Sequence, residues 1–282
     1  MAGKNIVQRF FELLGISAKL DLAWLLRDTK YALLAIASDI IVSLSMVSGV
    51  FLISVRFGGI GGMCTNEVLF MMAYSTMVSG LMNLFGCGNN IHISRIIGRG
   101  QLEHFFVQPL PLSLQLLTCG FNPFTAGSNL LVGICLMALA VKRLGLTITP
   151  FWVFSLCAYL FVTFVIVVAW AYFVSSAAFY APLAAEEISY TAIDEMWHLT
   201  TFPLSGMPSF IQIPLITVFP QGLMAWFPAL CLLGKPPLGL SAYYPMLFAL
   251  LLAFTASIFF KRGLNHYVKR GSNRYVSHGF RR

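Results

Sequence analysis

Charge is scarce in this sequence. Asp, Glu, Lys and Arg make up 10% of its 282 residues, against roughly 25% in a soluble globular domain, and the shortage excludes an ordinary water-facing surface. Nucleotide-binding chemistry is missing too: no G-x-x-x-x-G-K-[ST] run occurs, so the chain has no phosphate-cradling loop of that kind. No H-E-x-x-H, no G-x-S-x-G and no paired-cysteine motif is present, which leaves a membrane protease, hydrolase or metalloenzyme without a catalytic constellation. Cys64, Cys87, Cys119, Cys135, Cys157 and Cys231 have neither metal nor disulfide spacing and mostly sit in apolar runs, where a thiol serves as a small hydrophobe. We expect them to be free. The leading segment lacks the apolar core and cleavage site of a secretory signal.

What is abundant is apolar: 58% of residues, with a mean hydropathy of +0.81. Such a chain belongs in a bilayer, whose hydrocarbon takes about 20 apolar residues to cross as a helix. Five stretches qualify: Tyr31 to Val55, Val68 to Gly88, Phe124 to Val141, Phe151 to Val174 and Tyr243 to Phe260. Residues 182–234 are harder to read. They open with AAEEISYTAIDEMWHL and continue as FIQIPLITVFP and QGLMAWFPALCLLG, each too short to span comfortably. One layout makes residues 184–204 the fifth crossing and folds 206–234 into the outer leaflet and back. The other keeps Glu186 to His198 on the cytoplasmic side and makes Phe210 to Leu233 the crossing. Either gives about six crossings.

Lys and Arg set the orientation. Lys4, Arg9, Lys19, Arg27 and Lys30 precede the first span, and Lys261, Arg262, Lys269, Arg270, Arg274, Arg281 and Arg282 follow the last. Both termini are therefore expected in the cytoplasm, with Lys142, Arg143 and Lys235 as a minority outside. The formal charge of +8 is better spent on anionic headgroups than on nucleic acid, and no nucleic-acid partner is expected. In residues 1–30, Ile6, Phe10, Leu13, Leu14, Leu22, Leu25 and Leu26 recur at helical spacing between Arg9, Glu12, Lys19 and Asp21. That pattern fits an amphipathic helix lying on the inner membrane face, or a simple retention signal ahead of the first span. Residues 261–282 form a basic tail.

Two polar passages break the apolar text. GRGQLEHFFVQPLPL, Gly98 to Leu112, lies in the loop of residues 90–112 between the second and third spans. Arg95, Arg99 and Glu103 recur at four-residue spacing, Ile96, Ile97, Leu102, Phe105 and Phe106 supply an apolar side, and Gly98, Gly100 and Pro109 punctuate the ends. A short helix of this kind seats a phenylalanine pair in a groove of a soluble partner, or folds back on the bilayer. His92 and His104 read as plain surface residues. In the second passage four of the ten acids, Glu186, Glu187, Asp194 and Glu195, fall within ten residues. Glu187, Asp194 and His198 share one helical face. At membrane depth they must face protein or water and would favour cationic or amphipathic cargo; under the other layout they form an acidic membrane-proximal surface. Asp39, in the first span, is a lone carboxylate that either joins the cargo path or bonds a neighbouring helix.

ISRIIGRGQLEHFFVQPLPLSLQLL resembles the cytoplasmic loop of ABC transporter permeases of the type 2 exporter class, through Gly100, Leu102, Glu103, Pro109 and Leu110. FPLSGMPSFIQIPLITVFPQGLMAWFPALCLLG is similar to that family's external re-entrant hairpin, with Phe202, Pro203, Leu204, Pro208 and Pro220 in corresponding places, and FKRGLNHYVKRGSNR is similar to the tail of one subgroup. The resemblance implies an all-α integral membrane protein with about six spans, a hairpin at 206–234, and a coupling helix in which Arg95, Arg99, Leu102, Glu103, Phe105, Phe106 and Pro109 meet a dimer of ATP-binding cassette subunits. It implies a second permease subunit, identical or homologous, and a place in the cytoplasmic membrane of a prokaryote. It also implies no cofactor and no catalysis in this chain, with ATP and Mg held by the partner. Glu187, Asp194, His198 and Asp39 are the expected cargo-path residues. An ion-coupled secondary transporter is the alternative class, although no clear internal repeat of the kind such folds show is visible.

Overall fold

The computed structural model describes residues 6–86, 93–108, 110–118 and 120–271. Among the described residues the chain is helix and turn, with one isolated bridge between Ile60 and Met63 and no strand. Helix α1 (Ile6–Arg27) breaks at Asp28, and α2 (Thr29–Phe57) starts at once. Gly58, at φ 72°, stops α2 in a left-handed cap, a conformation glycine adopts without a side-chain clash. α3 (Thr65–Gly86) follows, then three short helices: α4 (Ile93–Gly98), α5 (Leu102–Val107) and α6 (Leu112–Thr118). α7 (Ser128–Leu144) and α8 (Pro150–Ser175) come next. At the start of α8, Thr149 Oγ1 accepts from the Trp152 amide at 3.1 Å and a proline occupies the first turn, where its missing N–H costs nothing.

A 3-10 turn over Ser176–Phe179 leads into α9 (Pro182–Leu199). Four helical fragments come next: α10 (Ser209–Gln212), α11 (Pro214–Thr217), α12 (Gln221–Met224) and α13 (Trp226–Leu232). The last helix is α14 (Tyr244–Arg270). By length and composition α2, α3, α8 with its following turn, and α14 can each cross a bilayer. α7 is 17 residues long and α9 carries four acids.

α3 is the axis. Val68 through Tyr74 are buried along it without interruption, and α2, α7, α8 and α13 pack around it. α3 and α7 approach so closely that side chains are excluded from the seam. A Cβ on Gly80 would strike the Leu130 backbone, and one on Gly133 would lie 2.6 Å from the Met77 nitrogen. Small residues at a helix seam allow this close approach where apolar surroundings give helices no hydrophobic reason to associate. The Tyr74 hydroxyl and Thr163 Oγ1, both fully buried, hydrogen-bond at 2.8 Å and join α3 to α8.

Several bounds differ from those read in the sequence. α7 starts at Ser128 rather than Phe124, because Asp21 on α1 holds the preceding loop in a non-helical form. Its carboxylate accepts from the Phe124 amide at 2.7 Å, the Thr125 amide at 3.2 Å and Thr125 Oγ1 at 2.6 Å. α9 ends at Leu199, short of residue 204. Phe210 to Leu233 is not one helix: it breaks at Ile213, across residues 218–220 and at Ala225, around Pro214, Pro220 and Pro228. The layout that made it a single crossing therefore has no continuous helix to use.

The glycine seam gives a direct test. Gly133→Ala and Gly80→Ala each place a methyl against backbone that cannot rotate away, and each should lower stability by about 1–3 kcal/mol. Gly49 of α2 has nothing within 4 Å of its Cβ position, so Gly49→Ala should be neutral or gain up to about 1 kcal/mol. Thermal unfolding of the three purified variants in one detergent distinguishes them; equal midpoints would refute the close approach.

Candidate functional site

At one end of the bundle α4 and α5 form an elbow. The sequence pattern suggested one amphipathic helix from Arg95 to Gln108, but the structure breaks it at Gly100, φ 69°. The Gly100 amide donates to the Ile97 carbonyl at 3.0 Å and the Gln101 amide to the Ile96 carbonyl at 2.9 Å. This is a Schellman stop, which takes a left-handed residue in that place. Arg95, Arg99 and Glu103 therefore do not line one helical face. Arg95 turns inward, its guanidinium 3.9 Å from the centre of the Tyr190 ring on α9, while Arg99 and Glu103 are on the exposed side. Pro109 and His92 lie outside the described residues.

The apolar side of the elbow is the second core of the molecule. Ile93, Ile97 and Leu102 are fully buried against Phe179 of the 3-10 turn, Leu116 of α6 and Tyr267 near the end of α14. Gly263 permits this, since a Cβ there would collide with the Phe179 ring. The expected phenylalanine pair is divided. Phe105 packs half-buried into this core, whereas Phe106 stays 44% exposed with its ring 6.4 Å from that of Tyr267. Val107, beside it, is 86% exposed. Two polar groups brace α5. Gln115 Nε2 donates to the Phe105 and Leu110 carbonyls at 3.0 and 2.7 Å, and the Tyr267 hydroxyl donates to Glu103 at 3.3 Å.

α9 runs from this elbow toward the opposite end. Ala185, Ser189, Ile193 and Met196 turn into the chain, and Thr200 continues that face. Glu187, Thr191, Asp194, Glu195 and His198 lie on the other side and are exposed. Asp194 and His198 stand 3.6 Å apart, each side chain more than half exposed. The structure thus places Glu187, Asp194 and His198 on one face, directed away from this chain. Asp39 is elsewhere. It lines a 480 Å³ cavity with Asp21, Trp24, Asn122 and Thr125, to which α9 contributes no residue. The four carboxylate and imidazole groups therefore do not form one site within the chain.

The far end is closed by residues 203–240. The stretch leaves where Gly206 crosses Gly61, the two so close that a Cβ on Gly206 would sit 2.7 Å from the Gly61 Cα. It returns where Lys235 Nζ meets Glu67 Oε1 at 2.6 Å, beside the same α2–α3 loop. Glu67 is buried at the start of α3, with Oε2 accepting from the Cys64 amide at 3.0 Å. Its hydrogen bond and then its charge raise the Lys235 ammonium above the ordinary lysine range. Within the stretch, Gln221 to Leu230 are buried without exception.

Carbonyls freed by the broken helices find side-chain donors there. Gln212 Nε2 reaches Leu204 and Met207, at 2.9 and 2.6 Å, Trp152 Nε1 reaches Leu232 at 3.2 Å, and the Tyr244 hydroxyl reaches Ile216 at 2.9 Å. Sequence reasoning had no signal for Gln115, Gln212 or the Glu67–Lys235 pair, whose partners are distant in the chain or are backbone groups. Among the described residues no group of His, Cys, Asp and Glu is placed to hold a metal ion, and Cys64, Cys135, Cys157 and Cys231 are free.

A search of the curated proteins and one of the solved structures returned no match. The family model described as ABC-2 family transporter protein matches residues 40–271, a range that takes in the elbow, the acidic face of α9 and the closed far end. A match over that much of the chain shows its family: the protein belongs to the ABC-2 family of transporters, a multi-pass membrane permease of the ABC type that works with an ATP-binding cassette subunit.

Proposed function

We propose that the chain is the transmembrane permease subunit of an ATP-driven exporter, moving a small molecule, drug, peptide or lipid-like cargo across the cytoplasmic membrane of a prokaryote. α2, α3, α7, α8, α9 and α14 are the six crossings, both termini are cytoplasmic, and residues 206–234 are a re-entrant hairpin in the outer leaflet. ATP and Mg belong to a partner dimer; this chain performs no catalysis and carries no cofactor. A second permease subunit completes the cargo path. The observation that carries the reading is the elbow: it is anchored from within by Ile93, Ile97 and Leu102 yet leaves Phe106 and Val107 outward at its tip. An apolar tip on a rigid base is what a docking groove needs.

The topology draws support from α9. It packs against α4 and its sequel reaches Gly61 beside the α2–α3 loop, which supports a crossing there despite its acids. The hairpin leaves and returns beside one loop, as a re-entrant segment does, and its second half, Gln221 to Leu230, is buried in protein. In the working cycle the ATPase dimer closes on ATP and moves the elbow. Only contacts that differ between the closed and open dimer can shift the permease between its two forms.

The acidic face of α9 cannot be left against lipid, since a carboxylate near the bilayer centre costs on the order of 3 kcal/mol even on the lenient insertion scale. Facing the second subunit, it lines a wet path that favours cationic or amphipathic cargo.

Two measurements test this. Phe106→Ala removes the exposed anchor and should weaken capture of the ATPase subunit by about 2 kcal/mol, roughly thirtyfold, while the protein still inserts and unfolds normally. Phe105→Ala should mainly reduce thermal stability. Co-purification that survives Phe106→Ala together with Val107→Ser would remove the elbow from the interface. The double change Glu187→Gln and Asp194→Asn should slow transport of a cationic cargo in vesicles with the coupled ATPase present, and transport at the unaltered rate would take these acids out of the path.

A further inference from the structure

A groove of 590 Å³ runs between α8 and α14 and ends beside α6. Its depth comes from small side chains, Ala169, Ala253 and Ala256, with Phe164, Val168 and Phe260 as walls. From Ala253 to Leu264 it follows α14 for about 16 Å at the helical rise, close to half of the roughly 30 Å hydrocarbon thickness of a bilayer. The flanks of both helices are apolar and exposed, Phe161 and Phe254 each at 66%, so the groove opens toward lipid rather than into the bundle. At its rim stands Lys261, exposed and without an ion pair among the described residues, and Arg262 follows it. An apolar slot one leaflet deep with an unpaired ammonium at the headgroup end matches an acyl chain joined to a negative phosphate.

We propose that this groove binds an anionic phospholipid of the leaflet on the elbow side, with an acyl chain between α8 and α14 and its phosphate on Lys261. The site touches the coupling apparatus directly. Leu116, Tyr172, Phe260 and Leu264 line the groove and also pack into the core beneath α4 and α5, so a bound chain braces the base of the elbow. The inference rests on the proposed sidedness only in assigning the leaflet to the cytoplasm.

The test uses the full-length chain purified in detergent, with lipid binding read by native mass spectrometry. Phosphatidylglycerol should bind about fivefold more tightly than phosphatidylcholine, the preference expected of one basic residue near a headgroup. Lys261→Glu should abolish that preference and Lys261→Arg should retain it. Ala253→Phe, which fills the slot, should weaken both lipids together. Should Ala253→Phe fail to fold, the Lys261 pair still decides the outcome. Equal affinity for the two lipids, an unchanged preference in Lys261→Glu, or displacement of the lipid by millimolar inorganic phosphate would each overturn the proposal. The ATPase subunit takes no part in this measurement, so its result is independent of whether the elbow docks there.

Discussion

A backbone N–H or C=O that leaves the helical ladder away from water has only protein to bond to, and among the described residues, 203–240 carry a cluster of such groups. Pro208, Pro214, Pro220 and Pro228 break the ladder within twenty-one positions. The freed carbonyls draw in Gln212, Trp152 and Tyr244 as donors, and the second half of the stretch sinks into the main core against α3 and α8. The rest of the arrangement follows. α13 packs against α3, and α3 meets α7 along the seam that holds Gly80 and Gly133. α2 and α14 are left at the periphery with few of their side chains buried. The Glu67–Lys235 pair ties the return of the stretch to the start of α3. Because Lys235 is largely exposed, the pair's value is as a locator more than as a source of stability.

How far this could be read from sequence depended on the distance over which each signal acts. Apolar length located α2, α3 and α8 within a few residues, since the bilayer sets the length of a crossing helix, and it found the start of α14, which runs on as a polar extension to Arg270, ten residues past Phe260. Gly100 was visible as punctuation, yet the four-residue recurrence of Arg95, Arg99 and Glu103 suggested a continuous helix. The recurrence held in sequence but not in space, because a left-handed glycine reorients everything after it. The division of Phe105 from Phe106 was not legible, since adjacent residues on a short helix point about 100° apart and only the packing of α14 decides which turns inward. Asp21 read as one charge among several on α1. Its role in holding Phe124 and Thr125 joins elements more than a hundred residues apart, which periodicity cannot show. The acid row on α9 was the opposite case: its spacing of seven and four is local, and the structure keeps Glu187, Asp194 and His198 on one face.

That face and the elbow are mechanically related. α4 is clamped to α9 by Arg95 over the Tyr190 ring, about one turn from both Glu187 and Asp194 along the same helix. α5 is clamped to α14 by Glu103 and Tyr267, and to α6 by Gln115. A displacement of the elbow therefore reaches α9 through one helix and α14 through the other. The Schellman turn at Gly100 lies between the two clamps, so α4 and α5 can change their mutual angle without breaking a long helix. On the proposed reading, this turn lets a push at Phe106 and Val107 become a relative movement of α9 against α14.

Such a movement produces transport only if the two arrangements of α9 have comparable free energy in the absence of nucleotide, since a partner can shift an equilibrium by no more than its differential affinity for the two states. On the proposed reading, the packing of α9 is where that condition would be met. The inward face of α9 is largely apolar, with Ala185, Ile193 and Met196 beside Ser189. Ser189 donates to the Val174 carbonyl of α8 at 3.1 Å, and just past the helix Ser75 meets Thr200 at 3.4 Å, both bonds of the weak neutral kind. α3 and α7, by contrast, are locked by a seam that tolerates no added methyl. The helix with charge to present leans on apolar packing and neutral bonds, whereas α3, which carries α13, is fixed to α7 along a seam where a Cβ on Gly80 or Gly133 would meet backbone.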